Sequence, residues 1–130
     1  MQLDGALRKS SLSAKDIEVI KLAVSEVAAC DYCLAAHTMI GGKAGLSAVA
    51  IHAARSGQPS GDVRNDALAS FARSLVTTRG KVDEAVVAAA KAGGISDAHI
   101  VDTLLAIASI TFTNLFNRVN DTTLDFPAVA

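Results

Sequence analysis

The segment Ser13-Ala-Lys-Asp-Ile-Glu-Val-Ile-Lys-Leu-Ala-Val-Ser-Glu-Val-Ala-Ala-Cys30-Asp-Tyr-Cys33-Leu-Ala-Ala-His37 decides how the rest of the chain is read. Its first four residues have the S-x-x-D form of a helix start, in which hydroxyl and carboxylate each take a backbone N–H. A helix then runs from Ala14 to about Ala28, with Ile17, Val19, Ile20, Leu22, Ala23, Val24 and Val27 spread over almost its whole circumference. A helix apolar on every side is buried, in its own fold or against another subunit. A second helix, dense in alanine, starts near Asp31 and loses its pattern at Gly41-Gly42. With a turn near Ala29, the two form an antiparallel hairpin.

Outward from this hairpin the spacing predicts helices over 47–56, 62–78 and 82–92, then a long one from its Ser96 cap to about Phe116. Gly57-Gln-Pro59-Ser-Gly61, Gly80 and Gly93-Gly94 punctuate them. Gly41-Gly42 has no preceding strand and no Lys-Ser/Thr ending, so it reads as a helix terminator and not as a phosphate loop. No segment reads as a strand. The fold class is all-α, about six helices in a single domain over residues 1–130, with the hairpin at its centre. The polar tail from Asn117 ends in Leu124-Asp-Phe126-Pro127 and is expected to lie across a neighbour. The first and last helices carry more apolar surface than a chain of this size hides easily, which points to a homo-oligomer. The alternative is that these two helices form the central pair of a monomer.

Composition supports the helical reading and narrows the function. The chain has 130 residues, 51% apolar and 19% charged, with alanine the dominant apolar type, no Trp and 4% aromatics. That is enough apolar surface to offset chain entropy, so disorder is excluded. With 12 basic against 13 acidic side chains and a net charge of -1, there is no field to hold nucleic acid or an anionic membrane. No basic leader, cleavage site or apolar run near eighteen residues stands out, so a soluble cytoplasmic protein is expected.

The chemistry lies in Cys30-Asp31-Tyr32-Cys33 and His37, since Cys30 and Cys33 are the only cysteines. Such a pair can be a redox dithiol, half of a zinc site or two buried thiols. Zinc takes four ligands, or three plus water, and the sequence offers two Cys, one nearby His and no second C-x-x-C. A disulfide closing so short a loop would stabilise little. The redox pair is the best of these readings, with no metal or cofactor expected. Cys33 in the first turn meets unpaired N–H groups and the positive end of the helix dipole. His37, at i+4, shares its face and can take the thiol proton. Cys30, at i−3, is close enough to condense with a sulfenic acid on Cys33.

A relay also needs a group to orient His37, and Glu18 sits in an otherwise apolar helix. At 1.5 Å per residue, Glu18 is about 15 Å and His37 about 10 Å from the turn, so the two face each other across the hairpin. The alternative is that Glu18, Lys21 and Ser25, which share a face, form a solvated stripe. His52 and His99 read as surface or interface residues, and Asn114 and Asn117 as hydrogen-bonding groups near the end of the last helix.

The pattern Glu18-x11-Cys30-x-x-Cys33-x-x-x-His37 resembles the alkylhydroperoxidase AhpD-like proteins of the carboxymuconolactone decarboxylase superfamily, over Ser13 to about Gly57. More weakly, Phe112-Thr-Asn114-Leu-Phe-Asn117 through Asp125-Phe126-Pro127 is similar to an uncharacterised peroxidase-related subgroup. The resemblance implies an all-helical fold that assembles into trimers or hexamers. It implies reduction of hydroperoxides by the dithiol, recharged by a lipoyl-bearing or thioredoxin-like protein. Cys33 would be the peroxidatic cysteine, Cys30 the resolving one, and Glu18 with His37 the proton relay. Decarboxylase members generally lack the dithiol. Tyr32 stands where the founding alkylhydroperoxidase has a His inside its C-x-x-C. The chain also begins only a dozen residues before the motif helix, where relatives often carry another helical segment.

The expected activity is therefore an antioxidant alkylhydroperoxidase, with Leu34, Met39 and Ile40 favouring organic hydroperoxides. A general thiol-disulfide reductase is the second reading. A non-catalytic oligomer whose dithiol senses redox state or holds a metal is the third.

Overall fold

The computed structural model of the chain describes residues 2–127. Among these are seven helices and no strand: α1 (Gln2–Arg8), α2 (Ala14–Val27), α3 (Asp31–Lys43), α4 (Ala48–Ser56), α5 (Val63–Thr78), α6 (Glu84–Ala92) and α7 (Asp97–Asn120). Each helix from α2 onward starts at a side chain that accepts a backbone N–H of the first turn: Ser13, Cys30, Ser47, Asp62, Asp83 and Ser96. These groups satisfy donors that have no partner inside the helix. His99 belongs to the cap of α7, where its Nδ1 accepts the Ser96 N–H at 3.1 Å. It is a capping residue.

α2 is the central helix and packs against α3, α4, α5 and α7. Its all-round apolar character is thereby used within the chain, with Val19, Ile20, Leu22, Ala23 and Val24 buried beside Leu68, Phe71, Ala72 and Ile110. α7 is different. Thr103, Ala106, Ile110 and Asn114 face the core, while Val101, Leu104, Phe112, Leu115, Phe116 and Val119 stay exposed. Among the described residues α7 alone is long and apolar enough, by length and composition, to cross a membrane. Here it is anchored to the rest of the chain by Ser109, which donates to Asp4 at 2.6 Å, and by Asn114, which donates to Ser25 at 3.0 Å.

Three expectations change. α1 is an added helix, and seven residues including Gly5 cannot hold a helix by themselves. Tertiary contacts hold it: Leu7 is buried, and Asp4 pairs with Lys21 at 3.2 Å as well as with Ser109. Burial pushes the Asp4 carboxyl up, but Ser109 and Lys21 outweigh it and hold the group below the usual carboxylate range. Gly41-Gly42 does not terminate α3, which runs on to Lys43. A methyl group at Gly41 would come within 3.3 Å of Leu46 and 3.6 Å of the Glu18 Cβ, so this glycine marks close packing. Gly45, at φ +104°, makes the turn instead. α7 ends at Asn120, beyond Phe116. Within the chain the tail returns to α3, where the Phe126 ring meets Tyr32 edge-on at 5.4 Å. Residues 128–130 lie outside the described part.

Asp16 illustrates how a cap becomes a core element. Its carboxylate completes the capping box with Ser13 and forms a two-point ion pair with Arg64 of α5. Burial alone would raise its pKa; the Arg64 guanidinium and the Ser13 groups outweigh this and hold it below the usual carboxylate range. A carboxyl depressed in the folded state contributes stability above its unfolded value, about pH 4, which is lost as the pH falls through the folded value. Asp16→Asn should therefore cost about 2 kcal/mol at pH 7, since the Arg64 side chain, 35% exposed, can partly resolvate. Urea unfolding at pH 7 and pH 3 checks this, and the difference between variant and wild type should shrink at the lower pH.

Candidate active site

The turn between α2 and α3 builds the dithiol. Ala29 adopts φ +52°, the left-handed conformation that ends many helices. The Cys30 N–H then bonds the Ser25 carbonyl at 3.1 Å and the Ala29 N–H bonds that of Glu26 at 3.1 Å. Arg118 of α7 donates to the Ala28 and Ala29 carbonyls at 2.8 and 3.0 Å, closing the end of α2. Cys30 thus ends one helix and caps the next, and its Sγ accepts the Cys33 N–H at 3.3 Å. Cys30 and Cys33 form a disulfide with a Cα–Cα distance of 5.3 Å, and both are buried.

Across the hairpin His37 Nδ1 lies 2.9 and 3.2 Å from the two oxygens of Glu18. The carboxylate is 6% exposed, so the pair is screened little by water. A carboxylate can only accept, so it selects the tautomer with the proton on Nδ1 and leaves Nε2 as a base. The solvated-stripe alternative fails here. Glu18, Lys21 and Ser25 do share a face, but each is matched from another helix, by His37, Asp4 and Asn114 respectively. His37 lies one turn beyond Cys33 on α3, yet no hydrogen bond joins its ring to either sulfur among the described residues. Both sulfurs are in the disulfide and carry no proton to share.

Two cavities flank this arrangement. One, of about 370 Å³, is lined by His37 and Glu18 with Leu7, Leu12, Ile17 and Ile40. Of Leu34, Met39 and Ile40, only Ile40 lines it, and Leu34 is buried. The other, a polar cleft of about 290 Å³, is lined by Cys30, Asp31, Tyr32, Asn117, Arg118 and Thr122. Burial and the Asp125 carboxylate hold the Tyr32 hydroxyl above its usual range, so it is a neutral group. Asn117 also reaches the dithiol, its amide nitrogen 3.7 Å from Cys33 Sγ. The sequence shows an amide near the end of the last helix but nothing that pairs it with a cysteine 84 residues away. Among the described residues, no three His, Cys, Asp or Glu cluster to hold a metal ion.

The fold and site are thus a helical domain with a C-x-x-C pair at a helix start and a Glu–His pair across the same hairpin. The carboxymuconolactone decarboxylase family model matches residues 1–63, the segment that carries Glu18, Cys30, Cys33 and His37. The fold is similar to that of an uncharacterized peroxidase-related protein from Silicibacter sp. TM1040, with a TM-score of 0.73 and 22% identity. That match covers 93% of this chain and 62% of the other, so the chain spans less than two-thirds of its neighbour's length. No curated protein matches the chain. The likeness to the carboxymuconolactone decarboxylase family is thus one of sequence over residues 1–63, and the likeness to the peroxidase-related neighbour is one of fold.

Proposed function

We propose that this protein is a thiol-dependent alkylhydroperoxidase. The observation that carries the reading is the part-buried Glu18–His37 hydrogen bond, one helical turn from a C-x-x-C disulfide. In the reduced state Nε2 of His37 takes the Cys33 proton, and Glu18 holds the tautomer and balances the imidazolium. The thiolate attacks the terminal oxygen of the hydroperoxide and the O–O bond breaks. The alkoxide leaves as an alcohol with the proton returned by His37, and Cys33 becomes a sulfenic acid. The Cys30 thiol then displaces water to close the disulfide. An external dithiol attacks it through a mixed disulfide and restores both thiols.

The apolar cavity beside His37 favours an organic hydroperoxide over hydrogen peroxide, since it offers Leu7, Leu12, Ile17 and Ile40 to a hydrocarbon group. The polar cleft at Cys30 suits the thiol of a lipoyl-bearing or thioredoxin-like reductant. With such a reductant the protein would work in the cytoplasm, where a disulfide is catalytic more often than structural. A trimer or hexamer would cover the apolar stripe of α7 with a second copy. Sedimentation of wild type and Phe116→Arg checks this, with a wild-type monomer sinking the assembly.

The activity is tested by steady-state turnover of cumene hydroperoxide and of a protein disulfide, each driven by the same dithiol. Peroxide turnover well above disulfide turnover is expected. The reverse order would make the protein a general disulfide reductase.

A further inference from the structure

We infer that Asn117 is a further catalytic group: its side-chain amide donates to Cys33 Sγ and makes Cys33 the sulfur that carries negative charge once the disulfide is reduced. The amide nitrogen lies 2.9 Å from the Thr113 carbonyl and 3.7 Å from Cys33 Sγ. A carbonyl only accepts, so Thr113 fixes which end of the amide is nitrogen. The other end is fixed independently, because Asn117 Oδ1 accepts the Thr122 hydroxyl at 2.7 Å. One N–H is taken by Thr113, and the second is held toward the sulfur before any charge develops there. Donors fixed in this way strengthen when their acceptor becomes an anion.

The pair needs such a donor. The backbone N–H at the start of α3 points to Cys30 Sγ, and without a competing contact it would favour the thiolate on Cys30. Asn117, from α7, offsets that preference by donating to Cys33 Sγ. The other charged or titratable groups around the dithiol are His37 on α3, Glu18 on α2, Asp31 and Tyr32 at the start of α3, Arg118 and Asp121 at the end of α7, and Asp125 of the tail against Tyr32. The amide is distinct from all of them because it is a neutral donor and holds its hydrogen at every pH.

This inference rests on the peroxidase reading for the use of the Cys33 thiolate, but its test needs no peroxide. The full chain is reduced, exposed to limiting iodoacetamide between pH 5 and 9, and each cysteine is scored by peptide mass spectrometry. In wild type, Cys33 should be alkylated first. In Asn117→Ala its rate at pH 7 should fall about tenfold and its pH midpoint rise by about one unit, with alkylation moving to Cys30. Asn117→Asp keeps the shape, lacks the N–H and adds a like charge, so its fall should be larger, and it serves if the alanine variant fails to fold. Unchanged selectivity in both variants, or equal changes at both cysteines, overturns the inference. A wild type that turns over no peroxide, yet shows the Asn117-dependent selectivity, overturns the peroxidase reading and leaves the inference standing.

Discussion

Cys33→Ser is expected to abolish peroxide turnover, by a factor on the order of 10³ or more, while leaving the fold intact. A hydroxyl has the size of the thiol, but at neutral pH it is almost never the anion that attacks oxygen. Cys30→Ser should differ in kind. The first oxidation of Cys33 survives, the sulfenic acid has no neighbour to condense with, and turnover stops after one equivalent of peroxide. Dimedone should label Cys33 in that variant and give little label in wild type, where Cys30 at the N-cap of the same helix closes the disulfide. If Cys33→Ser keeps a single turnover and Cys30→Ser loses it, the two roles are exchanged. That outcome would match the first-cysteine nucleophile of thioredoxin-type pairs.

The second large effect is expected at Glu18. Its oxygens lie 2.9 and 3.2 Å from His37 Nδ1, and the carboxylate is 6% exposed. In Glu18→Gln the amide can donate to Nδ1, which favours the tautomer with the proton on Nε2. That nitrogen then cannot accept the Cys33 proton. The shape is nearly unchanged and the base is lost, so kcat/KM should fall about 10²-fold or more near neutral pH. The deficit should narrow at alkaline pH, where the thiol ionises without help. His37→Ala should show the same pH pattern. A uniform loss at all pH values, together with a lower unfolding midpoint, would mean that the pair holds the hairpin together and takes no part in proton transfer.

Local features of the fold were legible because they are written in adjacent residues. Ser13-Ala-Lys-Asp16 predicted the start of α2, and Ser47, Asp62 and Ser96 marked three others, each satisfying donors within its own first turn. Helix rise made the facing of Glu18 and His37 one of two readings, beside a solvated stripe. What failed depends on distant partners. α1 exists through Asp4, whose partner Ser109 is 105 residues away, and no local pattern encodes that bond. Gly41-Gly42 resembles a stop signal, yet Gly41 is small because α3 approaches Glu18 and Leu46 there. The alternative of a wet stripe through Lys21 and Ser25 stayed open because their partners come from α1 and α7. Asn117 reads as a hydrogen-bonding group, but its partner Cys33, 84 residues away, does not follow from the sequence for the same reason.

The central claim is that Cys30 and Cys33 exchange a peroxide for a disulfide. It is tested most directly by a single turnover: reduced protein, freed of reductant, mixed with one equivalent of cumene hydroperoxide. The account predicts one alcohol formed per dithiol and loss of two hydrogens from the Cys30–Cys33 peptide, restored by a fresh dithiol. Thiols that persist while the peroxide remains unconsumed would contradict it.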